Sequence, residues 1–164
     1  MTEKRCNLKK KIKQHSHGGQ IYTTFYEVGK DGKTLPEIKE DPDNVAVFAD
    51  NLVDYLEEAL GANLAKGDWC ILTTPRRRHK NMMHFSTEIC RTAAGILGLP
   101  FYEDAFTAEN RNRIDPDFTM EKNPKEKNVI LYDDIVTTGM TMKTTRQMLL
   151  DEGHVVLGIV GIKN

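Results

Sequence analysis

At 164 residues, with 39% hydrophobic and 29% charged content, the chain has the size and composition of one soluble domain with a core of its own. Its formal charge of −1 gives no overall attraction to nucleic acid or to an anionic membrane, and no apolar run approaches the ~18 residues that span a bilayer. The lysine-rich start lacks the apolar stretch of a secretory signal, and Cys6, Cys70 and Cys90 form no CxxC pair, so reduced thiols in a cytoplasmic protein are expected rather than a disulfide framework or zinc ribbon.

The first twenty residues carry Lys4, Arg5, Lys9, Lys10, Lys11 and Lys13 against the lone acid Glu3, the pattern of a mobile or edge-strand start with solvated lysines. His15 and His17, with Cys6, are zinc-ligand types, but no fourth ligand stands at a standard spacing. Gln20 to Val28 is rich in aromatic and β-branched residues and is followed by turn chemistry at Lys30-Asp31-Gly32-Lys33. A hairpin is therefore predicted between Gln20–Val28 and an extended stretch at Thr34–Ile38. Its Tyr22, Phe25 and Tyr26 suit either stacking on a planar ligand or packing in the core. Asp43 is the expected cap of a helix in which Phe48, Leu52, Tyr55, Leu56, Ala59 and Leu60 recur at helical spacing, with Gly61 as its stop. Residues 1–42 are thus expected to form a basic segment and hairpin, and 43–164 an α/β core, within one domain.

From Trp69 onward strand and helix alternate. Trp69–Thr74 reads as strand, Phe85–Leu97 as helix closed by Gly98, Leu99–Tyr102 as strand, Val129–Asp133 as strand, Met140–Leu150 as helix closed by Gly153, and Val155–Ile162 as strand. Such alternation implies an α/β fold, a parallel sheet flanked by helices and joined by right-handed crossovers. Between Asp104 and Asn128 lies a polar stretch with Pro116 and Pro124 and no sustained period, expected as a lid, a binding loop or disorder.

The segment with the most chemistry is VILYDDIVTTGMT, Val129 to Thr141. Four apolar residues read as a strand buried on both faces, so Asp133 and Asp134 fall at its carboxyl end, where open parallel sheets bind ligands. Thr137, Thr138, Gly139 and Thr141 follow at the start of a helix. Their hydroxyls, the free backbone N–H groups and the positive end of the dipole suit a phosphate dianion, while the two carboxylates can accept hydrogen bonds from vicinal hydroxyls. A Walker B strand would share the apolar run and the two acids, but its P-loop is missing: at Gly32-Lys33-Thr34, Glu27 stands where the first glycine belongs and Pro36 where a helix should begin. A purely structural strand-to-helix turn would not need hydroxyls at three of five turn positions. Upstream, Thr74-Pro75-Arg76-Arg77-Arg78 leaves a strand at a proline and presents three guanidinium groups suited to bidentate phosphate contacts; a solvated basic turn or a nucleic-acid patch over Arg76–Lys80 is the competing reading. Arg111 and Arg113 suit a lid or plain solvent exposure. Met82, Met83 and His84 are expected to pack at a helix start.

These residues resemble type I phosphoribosyltransferases. The segment from Val129 to Thr141 meets every position of that family's 5-phosphoribosyl-1-diphosphate (PRPP) signature: apolar strand, two acids, two apolar residues, two hydroxyl residues, Gly, any residue, Ser or Thr. Cys70 to Tyr102 with Asn128 to Lys163, a little under half the chain, is similar to the ComF-like branch. Pro75 and Arg76, Arg77 and Arg78 match its strand end and basic loop, and Phe85 the aromatic of its second element. His84 and Ser86 stand where that branch has Gly and Asn, and its four-cysteine zinc module is absent.

The resemblance implies a Rossmann-like core with a small N-terminal β-hairpin as a hood over the site, a homodimer, and Mg²⁺-dependent transfer of the 5-phosphoribosyl group of PRPP to a nitrogenous, nucleobase-like acceptor with release of pyrophosphate. It implies that Asp133 and Asp134 are the catalytic pair on the ribose hydroxyls, and that Ile135, Val136, Thr137, Thr138, Gly139, Met140 and Thr141 hold the 5′-phosphate. Thr74, Pro75, Arg76, Arg77 and Arg78 would hold pyrophosphate. Magnesium would be carried chiefly by substrate oxygens and water, with Asp133 or Asp134 the candidate protein contact. The alternative is a non-catalytic PRPP- or nucleotide-sensing regulator acting through nucleic acid or a protein partner, and a catalytically silent relative serving an assembly is a third reading. The near-neutral charge disfavours the nucleic-acid route.

Overall fold

The structure, a computed structural model, describes residues 8–17, 20–28, 35–76, 83–112, 114–136 and 138–163. An N-terminal hairpin is present: β1 (Leu8–His17) pairs antiparallel with β2 (Gln20–Val28), from Leu8 opposite Val28 to His17 opposite Gln20. The partner of β2 thus precedes it. The segment expected to be extended after it is instead a short helix, α1 (Leu35–Glu40). With β1 on one edge and a core strand on the other, β2 has no edge left for a second hairpin arm. Pro36 falls in the first turn of α1, where a missing N–H is tolerated, and Glu37 there favours the positive end of the helix. The turn expected at Lys30–Lys33 lies outside the described residues.

Helix α2 (Pro42–Leu60) is capped by Asp41 rather than Asp43: the Asp43 backbone N–H donates to Asp41 Oδ1 at 3.0 Å, and Pro42 takes the first helical position. The short α3 (Ala62–Lys66) leads into β3 (Trp69–Thr73), α4 (Phe85–Leu97) and β4 (Phe101–Tyr102). The polar stretch after β4 contains a separate two-stranded antiparallel sheet, β5 (Phe106–Ala108) with β6 (Phe118–Met120). Its strands are short, and burial of Phe106 and Phe118 gives the expected loop an anchor that its polar composition hides. The chain then runs through β7 (Asn128–Val136), α5 (Met140–Asp151) and β8 (Val155–Lys163).

The six main strands lie in the order β1-β2-β8-β7-β3-β4, every pairing parallel except that of β1 with β2. The hairpin therefore extends the sheet itself. Along β7 the side chains alternate between two cores. Ile130 and Tyr132 pack with Phe48, Leu52 and Leu56 of α2 and Ile89 and Ala93 of α4; Val129 and Leu131 pack with Met142 and Leu149 of α5. Each fully buried aliphatic side chain contributes about 1.5–3 kcal/mol relative to exposure, so both faces of this strand are committed and its register is specified. The same alternation points Asp134 to the side of α1 and α2. Gly161 lets β8 pass close to that side: a Cβ there would lie 2.7 Å from the Tyr132 hydroxyl and 3.1 Å from the Asp134 carbonyl oxygen.

Candidate active site

At the carboxyl ends of β3 and β7 opens a cavity of about 330 Å³ lined from four parts of the chain: Lys39 of α1, Thr74 and Pro75 after β3, Met83 to Phe85 at the start of α4, and the motif from Asp133 to Met142. Strand β7 runs further than the sequence suggests. Ile135 and Val136 continue it, opposite Ile162 and Lys163 of β8, so Asp133 and Asp134 sit within the paired strand and the turn proper begins after Val136. Gly139 is the N-cap of α5 with φ 81°, in the left-handed region that glycine enters without steric cost. The turn is held from below by β2, where the buried Gln20 Nε2 donates to the Gly139 carbonyl at 3.1 Å. Within it, Met140 N–H donates to Thr138 Oγ1 at 3.3 Å.

Two carboxylates face this turn in unlike settings. Asp134 is 7% exposed and forms an ion pair with Lys39, Nζ to Oδ2 2.9 Å. Asp133 is half-buried and its carboxyl is pushed up to about 7, first by burial, then by the charge of Asp134 and a hydrogen bond with it; a hydrogen bond from Thr74 and the charge of Lys39 work the other way. Near neutral pH the Asp133 carboxyl is therefore poised between its protonated and ionised forms. His84, the N-cap of α4, shares a hydrogen bond between Nδ1 and Thr87 Oγ1 at 2.7 Å, and burial lowers its pKa so that the ring is neutral there.

The fold brings most of the expected motif residues to one place. Asp133, Asp134, Ile135, Val136, Thr138, Gly139 and Thr141 line the cavity, and Met140 begins α5 beside it without lining it. Thr74 and Pro75 also line it. Arg76 does not: its Nε donates to Asp104 Oδ1 at 3.0 Å and its Nη2 pairs with Glu103 at 3.5 Å, in the turn after β4. Arg111 is exposed between β5 and β6, away from the cavity lining. Thr137, Arg77, Arg78 and Arg113 lie outside the described residues, as do Lys80, Met82 and Cys6.

The hairpin aromatics pack in the structure. Phe25 is fully buried, Tyr22 is buried and stacks on His15 at 5.3 Å, and Tyr26 stacks on Phe48 at 5.0 Å while accepting a hydrogen bond from Asn51. His15 shares a hydrogen bond with Thr24 Oγ1 at 2.8 Å. Sequence reading missed Lys39, because it stands just after the stretch read as extended, in what the structure shows to be a helix, and nothing in its spacing singles it out. It also missed Gln20, whose supporting role depends on a contact with a residue far along the chain.

The cavity offers two carboxylates, and among the described residues no group of three or more His, Cys, Asp or Glu comes together. That donor set fits a cation that keeps most of its ligands as water and phosphate oxygens, as magnesium does, with Asp133 or Asp134 as the protein contact. Among the described residues no helix is long and apolar enough to cross a membrane.

No family model matches the sequence, and no curated protein matches it either. Known structures do. An adenine phosphoribosyltransferase aligns with TM-score 0.59 at 19% identity, covering 99% of this chain and 88% of its own. Adenine phosphoribosyltransferase from Saccharomyces cerevisiae aligns with TM-score 0.54 at 19% identity over 100% of this chain and 90% of its own. Orotate phosphoribosyltransferase from Aeropyrum pernix aligns with TM-score 0.52 at 18% identity over 98% and 78%. With the sheet order, the crossovers and the strand-to-helix turn at Gly139, these likenesses establish that the chain has the type I phosphoribosyltransferase fold.

Proposed function

We propose that the protein is a Mg²⁺-dependent phosphoribosyltransferase, moving the 5-phosphoribosyl group of PRPP to a nitrogenous, nucleobase-like acceptor with release of pyrophosphate. The observation that carries this reading is one cavity holding both an acidic pair and a glycine-capped helix N-terminus that together match the complete PRPP signature. The Asp133 and Asp134 carboxylates accept hydrogen bonds from the ribose 2′- and 3′-hydroxyls. Backbone N–H groups and hydroxyls of the turn through Thr137, Thr138, Gly139 and Thr141 hold the 5′-phosphate. Thr74, Pro75, Arg77 and Arg78 hold pyrophosphate, while Arg76, tied to Glu103 and Asp104, braces the start of their loop. Bond breaking at the anomeric carbon passes through an oxocarbenium-like transition state, so the residues act by orienting the sugar, excluding water and balancing charge. Magnesium, bound through the donor's own oxygens, would neutralise charge on the departing pyrophosphate.

Kinship with the ComF-like branch belongs to the same reading, supported by Pro75 and Phe85, as does a cytoplasmic location, with which the free cysteines Cys70 and Cys90 agree; a homodimer is part of it by resemblance to the family alone. The test is acceptor-dependent release of pyrophosphate across a panel of nucleobases and related amines, with calorimetric titration of PRPP in the presence of magnesium. Turnover with one acceptor is the expected result. Tight PRPP binding without turnover would favour the sensing reading, and no PRPP binding would remove both.

A further inference from the structure

Lys39 occupies a position that the acidic pair would otherwise offer to a ligand. Its ammonium lies 2.9 Å from Asp134 Oδ2, with the lysine side chain 21% and the aspartate side chain 9% exposed. Among the described residues lining the cavity it is the one lysine or arginine. The backbone that carries it is anchored: Ile38 is buried, its carbonyl accepts from Asn44 Nδ2 at 3.1 Å, and Asn44 is itself buried. The four-carbon stem is flexible, so the ammonium can leave Asp134 without any change in α1.

We propose that Lys39 is a resident counter-ion which closes the Asp133 and Asp134 carboxylates to a free divalent cation, so that the metal enters together with the phosphorylated donor and not ahead of it. An ammonium and a divalent cation cannot share one carboxylate oxygen at close range, because like charges a few ångström apart repel strongly in a partly dry site. A polyanionic donor changes the balance. Its phosphates draw the ammonium off Asp134 and bring in the charge that lets the metal settle. Lys39 is thus a positioning residue that sets the order of binding and limits the metal's residence on the free protein. The alternative is that the ion pair only staples α1 to β7.

The inference rests on the phosphoribosyl-transfer reading for the identity of the donor, but its main test uses Mn²⁺ alone as a magnesium probe, read by electron paramagnetic resonance at pH 8.5 without turnover. Lys39→Met should bind Mn²⁺ in the absence of donor more tightly than wild type, by about tenfold or more, and Lys39→Arg should match wild type. Adding Asp134→Asn to Lys39→Met should cancel the gain, locating it at the acidic pair. In the wild type, Mn²⁺ should bind weakly alone and much more tightly with PRPP. Equal Mn²⁺ affinity in wild type and a folded Lys39→Met protein would overturn the proposal and leave the staple, whose loss lowers the melting temperature without altering metal affinity. Wild type that binds Mn²⁺ equally well with and without bound PRPP would overturn it independently of any variant. Failure of PRPP to bind would refute the transferase reading instead, with the Mn²⁺ comparison between wild type and variant still readable.

Discussion

Replacing Asp133 by Asn should stabilise the protein at pH 8 and abolish its use of the donor. The Asp133 carboxyl stands at about 7 in the folded chain against an ordinary 3.8, with burial the largest cause and the neighbouring Asp134 the next. Between those two pH values the folded state retains a proton that the unfolded chain has released, so stability falls as pH rises from about 4 to about 7 and stays lowered above. At about 1.36 kcal/mol per pH unit, the gap sets a ceiling of about 4 kcal/mol. Part of it belongs to the interaction with Asp134 and is shared by the pair, so a gain of about 2–4 kcal/mol is expected from the variant. Its amide is neutral at every pH and can donate to Asp134 as the shared proton does. Urea unfolding of both proteins at pH 4 and pH 8 measures the effect, and other titrating groups cancel in the difference. The Asn variant should be more stable at pH 8, by about 2–4 °C in melting temperature for each kcal/mol, and indistinguishable at pH 4. A variant less stable than wild type at pH 8, or a difference independent of pH, would refute the reasoning that a cavity-lining carboxylate is here held at a cost to the fold.

Gly139→Val should weaken ribose 5-phosphate binding sharply, since a β-branched residue at φ 81° is strained by about 1–2 kcal/mol or more and crowds the backbone N–H groups of the turn; unaltered affinity in a calorimetric titration would make the turn purely structural. Arg76→Ala should lower stability by about 1–3 kcal/mol through loss of its bonds to Asp104 and Glu103, with little change in pyrophosphate affinity. The pair Arg77→Ala and Arg78→Ala should do the opposite, and the reverse outcome in paired unfolding and pyrophosphate titrations would return Arg76 to the binding loop. Gly161→Ala should cost about 1–3 kcal/mol in urea unfolding, because its Cβ would meet the Tyr132 hydroxyl at 2.7 Å and a backbone oxygen at 3.1 Å, neither free to yield; a neutral effect would show that β8 can shift there.

The readings that survived contact with the structure are those carried by local pattern. The apolar run before Asp133, the spacing from Phe85 to Leu97 and from Met140 to Leu150, and Gly98 as a left-handed helix stop are each decided within a few residues, by strand and helix periodicity and by the backbone freedom of glycine. Strand-helix alternation then led to a parallel sheet, since few other arrangements bury such elements. The partner of β2 was not decided in this way. An aromatic, β-branched strand can pair with a neighbour on either side, and the N-terminal lysines, a mark of exposed edges, left β1 open between an edge strand and a mobile start. The site divides along the same line. Asp133, Asp134 and Gly139 were legible because one continuous segment carries the acids and the turn. Lys39 and Arg76 were not, for opposite reasons. By sequence Lys39 is one solvated lysine among 23 lysines and arginines, yet the fold pairs it with Asp134; Arg76 has the setting of a phosphate ligand, yet Glu103 and Asp104 hold it. What a charged side chain does depends on which opposite charges the fold brings within a few ångström and how much water it leaves between them, and neither quantity is contained in residue spacing.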